Sequence, residues 1–196
     1  MPSVSDQLAE LLYKMPPAKE EDINKLSSEL EKAGHGDLVK KLLDKPPRVL
    51  VGVLYSYGTC GEAAYNAYKS LLSNPPSGNV VIEDFSTDAL TVADTIRDSG
   101  ADKVVILTIK RRGREPGVYV RHVTLKQPSA IEAVEEIRPS LEGLLDVDAL
   151  LRGLNVFLGE GDIEVHECEP ESESCEECTK LLIDSLMETL GMRDGV

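Results

Sequence analysis

The sequence predicts an α/β fold, a three-layer α/β/α sandwich on a largely parallel sheet. Two observations support this prediction. Short apolar runs rich in Val alternate with segments of helical periodicity from residue 48 onward, as in chains built from β-α-β units. The hydrophobic fraction of 41% is enough for a core, and since Trp is absent and Phe occurs only twice, that core must consist of aliphatic residues. The length of 196 residues suits one domain with an appendage.

The first predicted strand and helix organise the domain. Residues 48–54, RVLVGVL, form a run suited to a strand buried on both faces. A loop with two glycines follows, and apolar residues then recur at helical spacing after Glu62. Ligands of such sheets sit at the carboxyl ends of the strands, so Glu62 is the first candidate site residue. The alternative is that Glu62 only complements the helix dipole.

The later elements follow the same alternation. Strands are expected at 79–83, 103–109, 118–125 and 162–168, and helices at 89–98, 130–158 and 175–190. Asp88 is placed to cap the helix that it precedes. The alternating pattern of 118–125 is typical of an edge strand, and Pro139 should break the long helical segment. The basic loop 110–114 is interpreted as a solvated turn rather than a docking patch.

Residues 1–47 are predicted to be a separate helical extension, with the α/β domain spanning 48–196. Three short amphipathic segments occur there, and Pro16-Pro17, Gly34 and Pro46-Pro47 end them in turn. We interpret them as a helical cap on one edge of the sheet, with partner binding as the alternative.

The charge excludes several classes of function. A net charge of −14 repels phosphate, so neither nucleic acid nor an anionic membrane is an expected partner. No apolar run reaches the ~18 residues of a membrane span, and no secretion signal is present, so a cytoplasmic protein is expected. The four cysteines of such a protein are expected to be reduced thiols or metal ligands.

Common catalytic motifs are absent from the sequence. It contains no GxGxxG, no phosphate-loop GK[ST], no GxSxG and no HExxH. The three histidines, His35, His122 and His166, are expected to be exposed or satisfied imidazoles.

Two groups of residues remain as candidates for chemistry. Glu62 and Asp84 follow the first and second strands, and in a parallel sheet they would face one cleft, where carboxylates can bind a divalent ion or act as acid and base. Cys168, Cys175 and Cys178 include a CxxC and could bind zinc. Structural thiols and redox pairing are the alternatives for the cysteines.

Several segments, in order, resemble the hydrogenase maturation proteases over residues 48–190. RVLVGVLYSYGTCGEA is similar to the family's first strand and acidic loop, and DFSTDAL, from Asp84, is similar to its DGGTxxxLL. ADKVVILTI and GREPGVYV resemble its ADxVIIVDA and PGxVY strands. SLEGLLD, from Ser140, resembles its SLHxxxL helix, and VHECEP resembles its last strand.

The resemblance implies an endopeptidase that trims the C-terminus of a nickel–iron hydrogenase large-subunit precursor after metal insertion. It also implies that Glu62 and Asp84 contact the nickel carried by that substrate. Two positions depart from the family: its metal-binding Asp falls on Thr108 and its His falls on Glu142, which still offers an oxygen. A non-proteolytic maturation or binding factor of the same fold, and a cysteine-based metal-binding module, are therefore the alternatives.

Overall fold

A five-stranded sheet forms the centre of the described part of the protein. The structure is a computed structural model and describes residues 48–56, 59–76, 78–141 and 146–192. The helical extension expected in residues 1–47 lies outside these ranges, and the domain boundary at 47/48 stays a prediction.

The strands and helices alternate as the sequence predicts. The strands are β1 (Val49–Leu54), β2 (Val80–Asp84), β3 (Lys103–Ile109), β4 (Gly117–Lys126) and β5 (Glu160–Glu169). The helices are α1 (Thr59–Ser73), α2 (Ala89–Ser99), α3 (Ala130–Leu141), α4 (Val147–Leu158) and α5 (Glu176–Thr189).

The sheet order is β2-β1-β3-β5-β4. β1 pairs in parallel with β2 and β3, and β3 pairs in parallel with β5, whereas β4 runs antiparallel to β5 at the edge. The largely parallel sheet and the edge position of residues 118–125 are therefore confirmed. All six residues of β1 are buried because both faces of this central strand are covered.

Each face of the sheet has its own apolar core, which confirms the three layers. Alternate residues of a strand point to opposite faces, so β1 supplies both cores. On one face, Val51 and Val53 pack with Leu71 of α1 and with Leu182 and Leu186 of α5. The other core lies beneath α2 and α4, and its buried members include Leu50, Phe85, Val92, Ile106, Leu150 and Leu154.

Two helix boundaries differ from the sequence prediction. α1 begins at Thr59, three residues before Glu62, so the preceding loop is shorter than expected. The segment 130–158 forms two helices, and the break falls after Pro139, which lies in the last turn of α3. α4 starts anew because the Asp146 side chain accepts hydrogen bonds from the backbone N–H groups of Asp148 and Ala149, at 2.7 and 3.3 Å. None of the described helices has the length and apolar content needed to cross a membrane.

Asp88 caps α2, as predicted, and this contact gives a first testable prediction. Its Oδ1 accepts from the N–H groups of Leu90 and Thr91, both at 3.0 Å. The hydrogen bonds from the Thr91 backbone and hydroxyl lower the pKa of Asp88 from its usual 3.8. We expect Asp88→Ala to lower the free energy of unfolding by about 1 kcal/mol near neutral pH. A lowered folded-state pKa stabilises above the unfolded value, so the loss should shrink as the pH falls below 3.8.

Urea unfolding of Asp88→Ala and wild type at two pH values measures this cap. Asp94→Ala is the matched control, because Asp94 lies on the same helix and makes an exposed ion pair with Arg97. Such surface pairs contribute about 0–1 kcal/mol. Equal losses in the two variants would contradict the capping role of Asp88.

Candidate functional site

The carboxyl edge of the sheet places Glu62 and Asp84 on neighbouring elements. Asp84 is the last residue of β2 and is exposed, and Glu62 is exposed in the first turn of α1. Because β2 pairs with β1 and α1 follows β1 and packs on β2, both carboxylates belong to one edge. No group of three His, Cys, Asp or Glu residues arranged for a metal ion forms within the described ranges.

Two hydrogen-bond donors orient the Asp84 carboxylate. The Tyr55 hydroxyl donates to Oδ2, and the Ser86 backbone N–H donates to Oδ1 at 2.7 Å. The Ser86 hydroxyl in turn accepts from the Tyr55 backbone N–H at 2.9 Å. These contacts link the end of β1 to the end of β2, so they hold the Asp84 carboxylate in one position at this edge.

Tyr55 also belongs to an aromatic cluster that the sequence analysis missed. Its ring centroid lies 5.2 Å from that of Tyr65 and 6.2 Å from that of Tyr68. Tyr65 and Tyr68 lie three apart on α1, so they share one helix face, and this spacing is a signal that could have revealed them. Burial and then the charges of Asp84 and Glu83 raise the pKa of Tyr68. The cluster therefore places an aromatic wall beside a negative edge.

The Tyr55–Asp84 hydrogen bond predicts a late tyrosine titration. That bond, burial and the Asp84 charge raise the pKa of Tyr55 from 10.0 to about 12. A raised folded-state pKa stabilises below the unfolded value, so this contribution is lost as the pH rises from 10 toward 12. In a spectrophotometric titration, Tyr55→Phe should remove the last tyrosine to ionise. Asp84→Asn should move the ionisation of Tyr55 back toward pH 10, while Glu83→Gln should leave it near its wild-type pH. A titration profile unchanged by Asp84→Asn would exclude the Tyr55–Asp84 hydrogen bond as the cause of the raised pKa.

Gly61 fixes the position of the Glu62-bearing turn. A Cβ at Gly61 would lie 1.7 Å from the backbone oxygen of Ser56, which cannot move as a flexible side chain could. Glycine therefore lets the start of α1 approach the end of β1 closely, and this approach places Glu62 at the edge.

Of the two positions that depart from the family, only Thr108 lies within the described residues. Thr108 is 4% exposed and lies in the sheet between Leu54 and Glu167. It offers no carboxylate. Glu142 lies outside the described residues.

All four cysteines are paired in disulfides, Cys60 with Cys175 and Cys168 with Cys178. The expectation of reduced thiols is therefore wrong for this structure, and pairing, which the pattern left open, is found instead. The three sulfurs of Cys168, Cys175 and Cys178 do not form a zinc site here, because each is bonded to another sulfur.

The basic loop 110–114 is an ion-pair network rather than the solvated turn expected. Arg112 donates from Nε and Nη2 to the two carboxylate oxygens of Glu167, at 2.6 and 2.7 Å, and Arg114 donates to the same side chain. Arg112 also donates to Asp148, at 2.8 Å, and Lys110 donates to Asp148 at 2.6 Å. The sequence analysis missed this network because the partners lie 36 to 55 residues from their basic residues.

The network controls the protonation of its carboxylates. Burial alone would raise the pKa of Glu167, but the hydrogen bonds and charges of Arg112 and Arg114 hold it below the usual 4.5. In the same way, the hydrogen bonds from Arg112 and Lys110 outweigh burial and lower the pKa of Asp148. Both carboxylates therefore stay ionised, and their charges are already neutralised by the loop.

The two histidines within the described residues are exposed or satisfied, as predicted. His122 is exposed on β4. His166 is fully buried, with Nε2 2.8 Å from Glu164 Oε1 and Nδ1 2.8 Å from the Ser185 hydroxyl. Burial lowers the pKa of His166 despite the opposing effect of Glu164. His35 lies outside the described residues.

Several solved structures are similar to this chain. The hydrogenase 2 maturation peptidase from Thaumarchaeota archaeon SCGC_AB-539-E09 has 22% identity and a TM-score of 0.46, over 74% of this chain and 99% of that chain. A hydrogenase 3 maturation protease has 16% identity and a TM-score of 0.46, over 76% and 92%. The [NiFe] hydrogenase maturation protease HybD from Thermococcus kodakarensis has 20% identity and a TM-score of 0.43, over 72% and 98%.

These structures belong to the same class of protein that the sequence resembles. At these sequence identities and TM-scores, the similarity concerns the backbone fold and is not evidence of a shared activity. No family model matches the sequence, and no curated protein matches it.

Proposed function

We propose that this protein is a maturation endopeptidase that acts on the C-terminus of a nickel-containing hydrogenase large-subunit precursor. Glu62 and Asp84 contact the nickel that the precursor carries, and the peptide to be cut lies along the same edge. The observation that supports the proposal most is that Glu62, to which the family resemblance assigns metal contact, and the exposed carboxylate of Asp84 lie on adjacent elements of one edge.

The chemistry of the edge suits a cation presented by a partner. Carboxylate oxygens bind divalent cations, and the charges of Glu62 and Asp84 at this edge attract them. Tyr55 and Ser86 hold the Asp84 side chain in one orientation, so this side chain loses little conformational entropy when a cation binds. Either carboxylate could also accept a proton from an attacking water, which is the general-base role that peptide hydrolysis requires.

The metal contact in this proposal is reduced compared with that of the family. Thr108 replaces a carboxylate, so the precursor's own ligands must complete the coordination of the nickel. Glu142 remains a proposed additional oxygen ligand.

A non-proteolytic maturation factor is the second candidate. Two observations favour it: Thr108 is buried and offers no carboxylate at the family's Asp position, and Asp84 already accepts two hydrogen bonds. Such a factor would bind the precursor at this edge without cutting it.

The deciding experiment combines nickel and cadmium titration by calorimetry with a cleavage assay on nickel-loaded precursors. For an endopeptidase we expect a shortened precursor with wild type, and a loss of both metal binding and cleavage with Glu62→Gln and with Asp84→Asn. Glu83→Gln is the matched control, because it removes a charge one residue away from Asp84 and should keep both activities.

The outcomes separate the two candidates. Stable precursor binding without cleavage would support the non-proteolytic factor. Full cleavage by both Glu62→Gln and Asp84→Asn would contradict the roles proposed for these carboxylates.

A further inference from the structure

We propose that, once its disulfides are reduced, the protein binds one Zn²⁺ through Cys60, Cys168, Cys175 and Cys178. This site uses neither Glu62 nor Asp84, although Cys60 lies two residues before Glu62 on α1, and it does not depend on the proposed function. The corner where α1, α5 and β5 meet would then exist in two forms, an oxidised form with two disulfides and a reduced zinc-thiolate form.

The fold brings all four cysteines to one corner. Cys60 is the second residue of α1, and its Cα lies 5.1 Å from that of Cys175, which precedes α5. Cys168 lies near the end of β5, with its Cα 5.8 Å from that of Cys178 in the first turn of α5. The Cys178 N–H donates to the Cys175 carbonyl at 3.1 Å, so a single turn joins the two pairs. The four cysteines therefore come to this corner from three elements, the start of α1, the end of β5 and the start of α5.

The spacing within that turn is the one that zinc sites use. Cys175-x2-Cys178 is the C-x₂-C arrangement of structural zinc sites, and two further cysteines complete a tetrahedral Cys₄ set. The ligand set expected from the sequence contained three cysteines, and the structure brings Cys60, more than 100 residues earlier in the chain, to the same corner.

The burial of the cysteines suits a structural metal site. Cys168, Cys175 and Cys178 have no exposed surface, while Cys60 is partly exposed. A buried thiolate set is protected from exchange with water, and the Cys60 side provides an entry path. These features together favour a structural ion over a catalytic one, because four protein ligands leave no open position.

The electrostatic surroundings compensate the charge of such a site. A zinc ion with four thiolates carries two net negative charges. The amino ends of α1 and α5 point their partial positive charge at this corner, and Arg111 Nη2 lies 3.5 Å from Cys175 Sγ. Glu177, in the first turn of α5, is occupied elsewhere, since its Oε1 accepts from the N–H groups of Glu171 and Ser172.

A phosphine reductant converts the disulfide form into the thiol form that binds zinc. Each disulfide reacts with one phosphine and one water: the phosphorus takes the oxygen to become a phosphine oxide, and the two sulfurs take two electrons and two protons to become thiols. Zn²⁺ then displaces four protons from the four thiols. Because the same sulfurs serve both forms, zinc and the two disulfides exclude one another.

The test uses the full chain, with Zn²⁺ added before and after phosphine reduction. We expect one zinc per chain in the reduced form and none in the oxidised form, measured by native mass spectrometry. Co²⁺ added in place of zinc should give the absorption of a tetrahedral thiolate site. Cys60→Ser and Cys178→Ser should each weaken zinc binding by more than about 100-fold, beyond the ~10- to 100-fold loss typical of outer-shell partners.

Two control variants keep the test specific. Ser174→Ala changes an exposed neighbour of Cys175 and should leave zinc binding unchanged. Asp84→Asn should also leave it unchanged, which separates this site from the nickel contact of the proposed function.

Two results would overturn the proposal. One is a reduced wild-type chain with four titratable thiols and no bound zinc. The other is Cys60→Ser with wild-type zinc affinity, which would exclude the four-cysteine site; this variant removes only a partly exposed side chain, so its folding can be checked independently by circular dichroism.

Discussion

Replacing Arg112 with Met is expected to lower the free energy of unfolding by about 3 kcal/mol, because it leaves a buried carboxylate with too few partners. Glu167 is 1% exposed, and two of its hydrogen bonds come from the Arg112 guanidinium. Arg114 still donates to Glu167 in the variant, and Arg121 lies 3.9 Å away. These two cations keep the loss at the lower end of the ~3–5 kcal/mol that follows the breaking of a buried pair.

Urea unfolding at neutral pH measures the loss, with Arg152→Met as the matched control. Arg152 is exposed on α4, so its replacement should change stability by less than about 0.5 kcal/mol. Equal stabilities for Arg112→Met and Arg152→Met would show that the network contributes nothing to folding.

The same network predicts a loss of stability in acid. The folded-state pKa values of Glu167 and Asp148 are lowered from 4.5 and 3.8, so their contribution is complete above those values and is lost as the pH falls below them. Glu167→Gln removes one of these groups, and its stability should fall less steeply with acid than that of wild type. An identical slope in the two proteins would contradict this assignment.

Gly52→Ala is expected to lower the free energy of unfolding by about 3 kcal/mol, the upper end of the range for overpacked cores. A Cβ at Gly52 would lie 2.0 Å from Cδ2 of the Phe85 ring, and both residues are buried. Conformational preference alone would make alanine better than glycine in a strand by about 0.5–1 kcal/mol. The sign of the change therefore distinguishes the steric clash from the intrinsic preference.

A double-mutant cycle with Phe85→Leu tests the cause of that loss. The smaller side chain should recover part of the stability of Gly52→Ala, so the two changes together should cost less than the sum of each alone. Chemical unfolding of the four proteins measures the coupling. Simple additivity would mean that the Phe85 ring is not what excludes a side chain at position 52.

The sequence alone was sufficient for the order of the elements and the class of the fold. The runs at residues 49–54 and 104–107 are apolar throughout, as a strand covered on both faces requires, and both belong to central strands. Asp88 and the alternating residues 118–125 were equally clear, because a cap and an edge strand depend on neighbours within a few residues. Glu62 and Asp84 followed from the same local logic, since Asp84 comes directly after a predicted strand and Glu62 follows the loop after another.

Only the tertiary structure decided which distant side chains meet. Four cysteines allow three pairings, and the approach of α1 to α5 selects Cys60 with Cys175. The basic loop is an ion-pair network because β5 lies beside β3 and carries Glu167 to the loop that follows β3. Tyr55 reaches Asp84 because β1 and β2 are neighbours. Periodicity and capping act through adjacent residues and can be read along the chain, whereas these contacts depend on strand order and helix packing, which arise when the two cores are buried together.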